Sequence, residues 1–236
     1  MKIIKYISYL WQVDWISTLR FNFHYFQFKD AIRIPVFLFR CKIISLKGEV
    51  ILKQPIKTGM IKLGMQMVSV SYFPFNFIYE NKGGVIFLES GELGSGSAIS
   101  VQKGAKLSIG EHIHATSNVK IIVSESITIG DNCRIGWDTM IMDTSWHSIY
   151  NIVTESYSSK SSPIRIGNYT WIGNGCQLMK GCVTPDFSII GARSLLTKDL
   201  KAPSYCLIVG SPAKVVREGV MLDEFVKFYS GAKHDN

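Results

Sequence analysis

Apolar residues recur at every sixth position over much of the C-terminal half of the chain. The series is Ile166, Ile172, Leu178, Thr184, Ile190 and Leu196, with Thr184 as the one polar member. Small side chains follow four positions after the first five members, at Thr170, Cys176, Cys182, Ser188 and Ser194. A period of six belongs neither to a helix nor to a simple alternating strand. The pattern therefore predicts short strands joined by tight corners.

Three such strands in each coil place residues eighteen apart on top of one another. Ile172 would then stack on Ile190, and Leu178 on Leu196. Each strand is too short to bury its apolar residues alone, so it depends on the coils above and below it. We therefore predict an all-β solenoid, a parallel β-helix with aliphatic columns inside.

Two departures from the period locate irregular segments. The same register continues upstream at Ile129, Ile135 and Ile141, and more faintly at Ile109, Ala115 and Ile121. The step from Ile121 to Ile129 is eight residues, which predicts a bulge of two residues. The step from Ile141 to Ile166 is 25 residues and leaves nineteen outside the coil. A long excursion from a regular solenoid is usually either functional or disordered.

These patterns divide the chain into three parts. Residues 1–45 are rich in aromatic residues and predict a helical cap over the open end of the solenoid; an alternative is an amphipathic segment at a membrane interface. The apolar anchors of that alternative are Trp11, Trp15, Phe21, Phe23, Tyr25 and Phe26. Residues 46–218 form the predicted β-helix, with an extended loop at about 147–163. Residues 219–236 contain a segment of helical spacing, Leu222 to Phe228, which predicts a short C-terminal helix.

Charge and cysteine content limit the environment and partners. The chain has 26 Lys and Arg against 18 Asp and Glu, a net charge of +8, which favours anionic partners without choosing among them. Five cysteines, an odd number without a CxxC pair, favour reduced thiols and a cytoplasmic location, with the inner face of the membrane as a possible site of action. His112 and His114 form an HxH pair, but no third His or Cys stands at ligand spacing, so no metal site is predicted.

The segments IGDNCRIGWDTMIMDTSWH and IGNYTWIGNGCQLMKGCV resemble the hexapeptide-repeat acyltransferases, especially the maltose, galactoside and polysaccharide O-acetyltransferases. The resemblance is close over about residues 100–218, where the repeat, the excursion, SLLTKD and VGSPAKVVRE occur in the family's order. It implies a left-handed coil, a homotrimer, and acetyl-CoA bound between neighbouring subunits. The left-handed crossover is an exception to the usual right-handed rule for parallel strands.

The resemblance also assigns roles on the acceptor side. His147 matches the catalytic His, and an imidazole is suited to removing a hydroxyl proton near neutral pH. Asp143 is expected to orient that imidazole or to bind the sugar, and its structural alternative is to cap the turn after Ile141. Asn118 matches an Asn that contacts the acceptor, with a left-handed corner residue as its structural alternative.

On the donor side, Trp171 matches an aromatic residue beside the CoA arm, although a buried strand Trp is the alternative. Backbone N–H groups near Gly173 and Ala192 are expected to bind the thioester oxygen and the pantetheine amides. Thr197 and Lys198 in LLTKD, together with Lys214 in SPAKVVRE, match positions near the CoA phosphates.

The resulting prediction is an acetyl-CoA-dependent O-acetyltransferase. Its acceptor is a sugar hydroxyl, its biological context is surface polysaccharide biosynthesis, and nucleic acid is not an expected partner. Within the same fold, N-acetylation of an amino sugar and transfer of a longer acyl group remain open. A non-catalytic β-helix scaffold is the alternative from another class, because fold does not determine function.

Overall fold

The computed structural model describes residues 10–67 and 75–228, and their core is a parallel β-helix with three faces. Face 1 contains β1 (Val36–Leu38), β3 (Ile61–Met65), β5 (Gly91–Gly94), β8 (Ile113–Ala115), β11 (Arg134–Ile135), β16 (Trp171–Ile172), β19 (Ile189–Ile190), β21 (Cys206–Gly210) and β22 (Ala213–Glu218). All of these pair in parallel except β22, which runs antiparallel to β21.

Faces 2 and 3 form one continuous sheet. Two long strands, β2 (Cys41–Leu52) and β4 (Phe77–Leu88), bend around the corner and contribute to both faces. Face 2 continues with β6 (Ala98–Val101), β9 (Lys120–Val123), β12 (Met140–Met142), β17 (Gln177–Met179) and β20 (Leu195–Leu196). Face 3 continues with β7 (Lys106–Ile109), β10 (Ser126–Ile129), β15 (Ile164–Ile166) and β18 (Val183–Thr184).

The aliphatic columns lie where the period of six places them. Ile172 is the register partner of Ile190, and Leu178 is the partner of Leu196. All four side chains are buried, and the small residues of the second series are buried at the corners. The interior is thus made of stacked apolar residues, each repeated one coil later.

Both departures from the period are confirmed. Ile121 pairs with Ile141, twenty residues later, so this coil holds two extra residues. Ile141 pairs with Leu178, 37 residues later, which exceeds a regular coil by nineteen. Those extra residues leave the coil after β12 and form a small antiparallel hairpin, β13 (Tyr150–Asn151) with β14 (Ser156–Tyr157).

Helix α1 (Trp15–Tyr25) and the short helix α2 (Phe28–Ala31) precede the first strand. The solenoid begins at Val36, earlier than the predicted boundary at residue 46, because β1 carries no glycine punctuation that would reveal a repeat. Asn22 of α1 replaces a neighbouring strand: its amide donates to the Val36 carbonyl (2.7 Å) and accepts from the Val36 N–H (3.1 Å). The open edge of face 1 is thereby satisfied.

The C-terminal part folds back as a 3-10 helix, Asp223–Phe228, and residues 229–236 lie outside the described part of the chain. Phe225 is buried in this helix and packs edge-on against Tyr169. Tyr169, Phe187 and Tyr205 stack in successive coils, with ring centroids 4.6 and 4.9 Å apart. In the described residues, no helix has both the length and the apolar character needed to cross a bilayer.

Candidate active site

The three corners of the prism differ in chemistry, and two of them carry the candidate site. The groove edge joins faces 1 and 2 and carries Asn118, Trp137, Asn174 and Ala192. The excursion edge joins faces 2 and 3 and carries Asp143, His147, Lys180 and Lys198. The aromatic edge joins faces 3 and 1 and carries the stacked rings Tyr169, Phe187 and Tyr205.

A groove with a volume of about 380 Å³ runs along face 1 at the groove edge. Trp171 and Trp137 line it and remain 40% and 37% exposed. Strand β16 alternates, so Ile172 points into the core while Trp171 points outward. Trp171 is therefore not a core residue, and the alternative of a buried strand Trp is wrong. Its indole presents an apolar wall that suits an extended, partly apolar ligand.

At Gly173, the two neighbouring coils that line this groove are in close contact. A Cβ atom there would lie 2.7 Å from the Ala192 backbone nitrogen, so only glycine fits between the two coils. The Gly173 N–H already donates to the Ile190 carbonyl (2.8 Å) within the coil. The Ala192 N–H has no hydrogen-bond partner in the described residues, and Ala192 is exposed. Of these two predicted positions, Ala192 is thus the one with a backbone donor left for a ligand.

His147 lies at the start of the excursion, and its side chain is exposed. Within the described residues, its ring makes no hydrogen bond, so both ring nitrogens are accessible. The segment beneath it is firmly held: Lys180 donates to Ser145 Oγ (2.9 Å) and to the Ser159 carbonyl (2.6 Å). Ser145 Oγ in turn donates to the His147 carbonyl (2.8 Å). The imidazole is therefore free while its backbone is anchored.

Asp143 lies at the same edge but is fully buried. Its carboxylate accepts hydrogen bonds from the Ser124 N–H (2.7 Å) and the Glu125 N–H (2.8 Å) of the preceding coil. Burial raises the pKa of Asp143, and the backbone donors oppose that shift. The structure records no hydrogen bond between Asp143 and His147 among the described residues. Its geometry is that of a turn anchor at the point where the excursion leaves the coil.

Asn118 occupies a corner of the groove edge with a left-handed backbone (φ 52°). Its Nδ2 donates to Asp138 Oδ1 (2.6 Å), one coil further on. The left-handed region favours Asn over most residues, so the corner itself accounts for the residue type. Asn118 lies one coil before Trp137 on the same edge but does not line the groove.

The three residues predicted near the phosphates are exposed but lie on different elements. Thr197 and Lys198 follow β20 at the excursion edge, and Lys214 lies on β22 of face 1. A single copy of the chain therefore does not bring these three residues together. The predicted residues fall into two groups, one at the groove edge and face 1 and the other at the excursion edge.

Sequence reasoning missed a paired imidazole on face 1. His114 Nδ1–H donates to Glu92 Oε1 (2.7 Å), because a carboxylate can only accept. That hydrogen bond lowers the pKa of Glu92, aided by Lys62. His114 and Arg134 line both the groove and an adjoining charged cleft of about 640 Å³. The HxH spacing was visible in the sequence, but its carboxylate partner stands 22 residues away.

The buried cysteines have no catalytic geometry. Burial raises the pKa of both Cys133 and Cys182 to about 12, so neither thiol ionises near neutral pH. Thiolate, not thiol, is the nucleophile in cysteine chemistry. In the described part of the chain, no three His, Cys, Asp or Glu side chains gather as metal ligands.

Comparison with known proteins finds relatives over about half of the chain. The chain is 33% identical over 115 residues to the galactoside O-acetyltransferase of Escherichia coli K12, a match that covers 49% of this chain and 55% of the relative. It is 30% identical over 124 residues to the polysialic acid O-acetyltransferase of Escherichia coli O1:K1, which covers 52% and 40%. Over these segments the chain is similar to proteins named as O-acetyltransferases. It spans about half the length of the curated relatives it matches, and no family model matches it.

The hexapeptide-repeat fold is also supported by solved structures. The crystal structure of a polysialic-acid-specific acetyltransferase superimposes with a TM-score of 0.53 at 22% identity, over 77% of this chain and 71% of that one. The predicted fold class, a left-handed parallel β-helix with an N-terminal helical region and a short C-terminal helix, is confirmed.

Proposed function

We propose that this protein transfers an acetyl group from acetyl-CoA to a hydroxyl group of a sugar. The observation that carries the proposal is a free imidazole on an anchored loop, His147, in a chain that also carries an aromatic groove. Relatives named for galactoside and polysialic acid O-acetylation support an O-acceptor and a saccharide. The biological setting we infer is cytoplasmic synthesis of a surface polysaccharide.

The distribution of residues over two edges implies that more than one copy builds the site. His147 and Lys198 lie on one border of face 2, whereas Trp171, Gly173 and Ala192 lie at or beyond the other border. A ligand in the groove of one copy would meet His147 only if a neighbouring copy brought its excursion edge against that groove. The family resemblance implies a homotrimer, and we infer that its rotational symmetry would repeat this edge-to-groove contact at each interface.

The chemistry requires a base, a bound donor and a stabilised oxyanion. His147 would remove the acceptor proton as the hydroxyl oxygen attacks the thioester carbonyl carbon. The C–O bond forms, the C–S bond breaks, and the proton passes from His147 to the departing sulfur. The products are an acetyl ester and the CoA thiol. No acyl-enzyme is invoked, because the buried thiols of Cys133 and Cys182 stay protonated.

The donor would lie along Trp171, with the free Ala192 N–H serving an amide or thioester oxygen. Lys198 and Lys214 are exposed cations for the CoA phosphates. Asn118 and the adjoining cleft with the His114–Glu92 pair would accommodate the acceptor. Asp143 acts as a positioning residue, because it fixes the point from which the loop bearing His147 departs.

The test is transfer of labelled acetyl from acetyl-CoA to a panel of sugars. We expect His147→Ala to lower kcat by about 10²–10⁴, the usual contribution of a general base. The matched control is His24→Ala, which removes another exposed imidazole, one bonded only to the Leu46 carbonyl (2.8 Å). Unchanged kcat in His147→Ala refutes the mechanism. Transfer to amino sugars alone would establish the N-acetyl alternative, and no binding of acetyl-CoA would favour the scaffold.

A further inference from the structure

Helix α1 buries two polar side chains and exposes several large apolar ones, unlike an ordinary surface helix. The side turned to the protein buries Phe21 together with two polar residues, Thr18 and Asn22, which bond to the backbone of β1. Leu38 N–H donates to Thr18 Oγ1 (3.0 Å), in the way that Val36 N–H donates to Asn22. A surface helix normally buries its apolar stripe and exposes polar residues.

The opposite side of α1 exposes large apolar residues. Ile16 is 84% exposed, and Leu19 and Phe23 follow at helical spacing, 42% and 48% exposed. The surface continues onto α2, because the Phe23 and Phe28 rings lie 6.1 Å apart and Phe28 is 74% exposed. We call this surface the outer apolar face; its members are Trp15, Ile16, Leu19, Phe23, Phe28 and Ile32. A contiguous apolar surface of this kind marks an interaction site.

Basic residues accompany the outer apolar face. Arg20, Lys29 and Arg33 are all exposed on the same two helices or directly after them. The acidic residues there are partly withdrawn: Asp14 caps the helix by accepting from the Ser17 N–H (3.0 Å), and Asp30 is half-buried. The whole chain carries a net charge of +8. An apolar face bordered by cations is complementary to a surface that is apolar inside and anionic outside.

We propose that the outer apolar face rests on an anionic membrane surface, with α1 and α2 lying in the headgroup layer. Trp and Phe would enter the boundary with the acyl chains, while Arg20, Lys29 and Arg33 would meet lipid phosphates. The helices lie on the bilayer and do not span it, in keeping with their length. This inference depends only on the N-terminal helices and holds or fails independently of acetyl transfer.

The test is co-sedimentation with vesicles, using the full chain. One vesicle type contains phosphatidylcholine alone and the other adds phosphatidylglycerol. We expect binding to the anionic vesicles, weakened by added salt. The double variant Ile16→Gln with Phe23→Gln should partition at least about tenfold more weakly, because both side chains supply apolar area to the bound state. Gln is a good helix former, so thermal unfolding should stay near that of the parent.

The matched control is Val216→Gln with Phe87→Gln, which removes two exposed apolar side chains far along the chain from α1. It should bind vesicles like the parent. Absence of binding to anionic vesicles overturns the proposal. An equal loss of vesicle binding in the two double variants overturns it as well. A Gln variant of α1 that changes the oligomeric state in sedimentation, while the parent does not bind vesicles, would assign the face to a second copy instead.

Discussion

Replacing Asp143 separates a role in anchoring the excursion from a direct role in catalysis. In Asp143→Ala, the N–H groups of Ser124 and Glu125 lose the carboxylate that now accepts at 2.7 and 2.8 Å. A hydrogen bond to a charged group contributes about 1.5–3 kcal/mol, so two of them amount to about 3–6 kcal/mol. We expect the free energy of unfolding to fall by that amount, measured by urea denaturation followed by circular dichroism.

Asp143→Asn is the conservative partner variant. The Asn oxygen still accepts one N–H, but its NH₂ group faces the other donor, so we expect a loss of about 2 kcal/mol. A decrease below about 0.5 kcal/mol in both variants would refute the anchoring argument. If Asp143 orients His147 directly, both variants would instead lose activity at full stability.

The pH dependence of Asp143 follows from its burial. Because desolvation raises the pKa of this carboxyl above its usual value of 3.8, the folded state takes up the proton before the unfolded chain does. Its contribution to stability is thus fully present below the unfolded pKa and is lost as pH rises through the folded pKa. The stability of the parent relative to Asp143→Asn should therefore increase as pH falls from neutral into that acidic range.

Three further experiments test the site. Lys180→Met removes the cation that bonds the base of the excursion, so kcat should fall by about tenfold to a hundredfold with little change in KM for acetyl-CoA. Gly173→Ala places a Cβ 2.7 Å from the Ala192 nitrogen, so thermal unfolding should show a loss of about 1–3 kcal/mol, and KM for acetyl-CoA should rise. Cys133 and Cys182, with pKa values of about 12, should resist a thiol reagent in the native protein at pH 8, with activity retained.

Each of these experiments has a control or a result that would contradict it. Lys103→Met removes an exposed lysine from the same edge as Lys180 and should leave kcat unchanged. If Gly173→Ala leaves the melting curve and the KM for acetyl-CoA unchanged, the two coils can move apart without loss of stability, and the prediction is wrong. For the thiols, denatured protein should react fully, and rapid modification of native protein with loss of activity would contradict the assignment of these cysteines to the core.

The sequence alone predicted the solenoid in detail, including the alignment of residues eighteen apart, the bulge after Ile121 and the length of the excursion. This was possible because each coil contacts only its neighbours. An inward position then requires the same kind of side chain in every coil, and a linear period records it. The predictions for His147 and Trp171 came from family resemblance, since a lone His or Trp carries no period.

The tertiary structure decided which corner each residue occupies. The pairing of His114 with Glu92 and the bonds from Lys180 to Ser145 join residues that no repeat connects, because outward side chains are not constrained by the core. The orientation of α1 likewise depends on the open edge of β1, whose N–H and C=O groups require partners that Thr18 and Asn22 supply. The residue type at an inward position is set by the volume available in its own coil. The role of an outward residue depends on which residues the folded chain brings beside it.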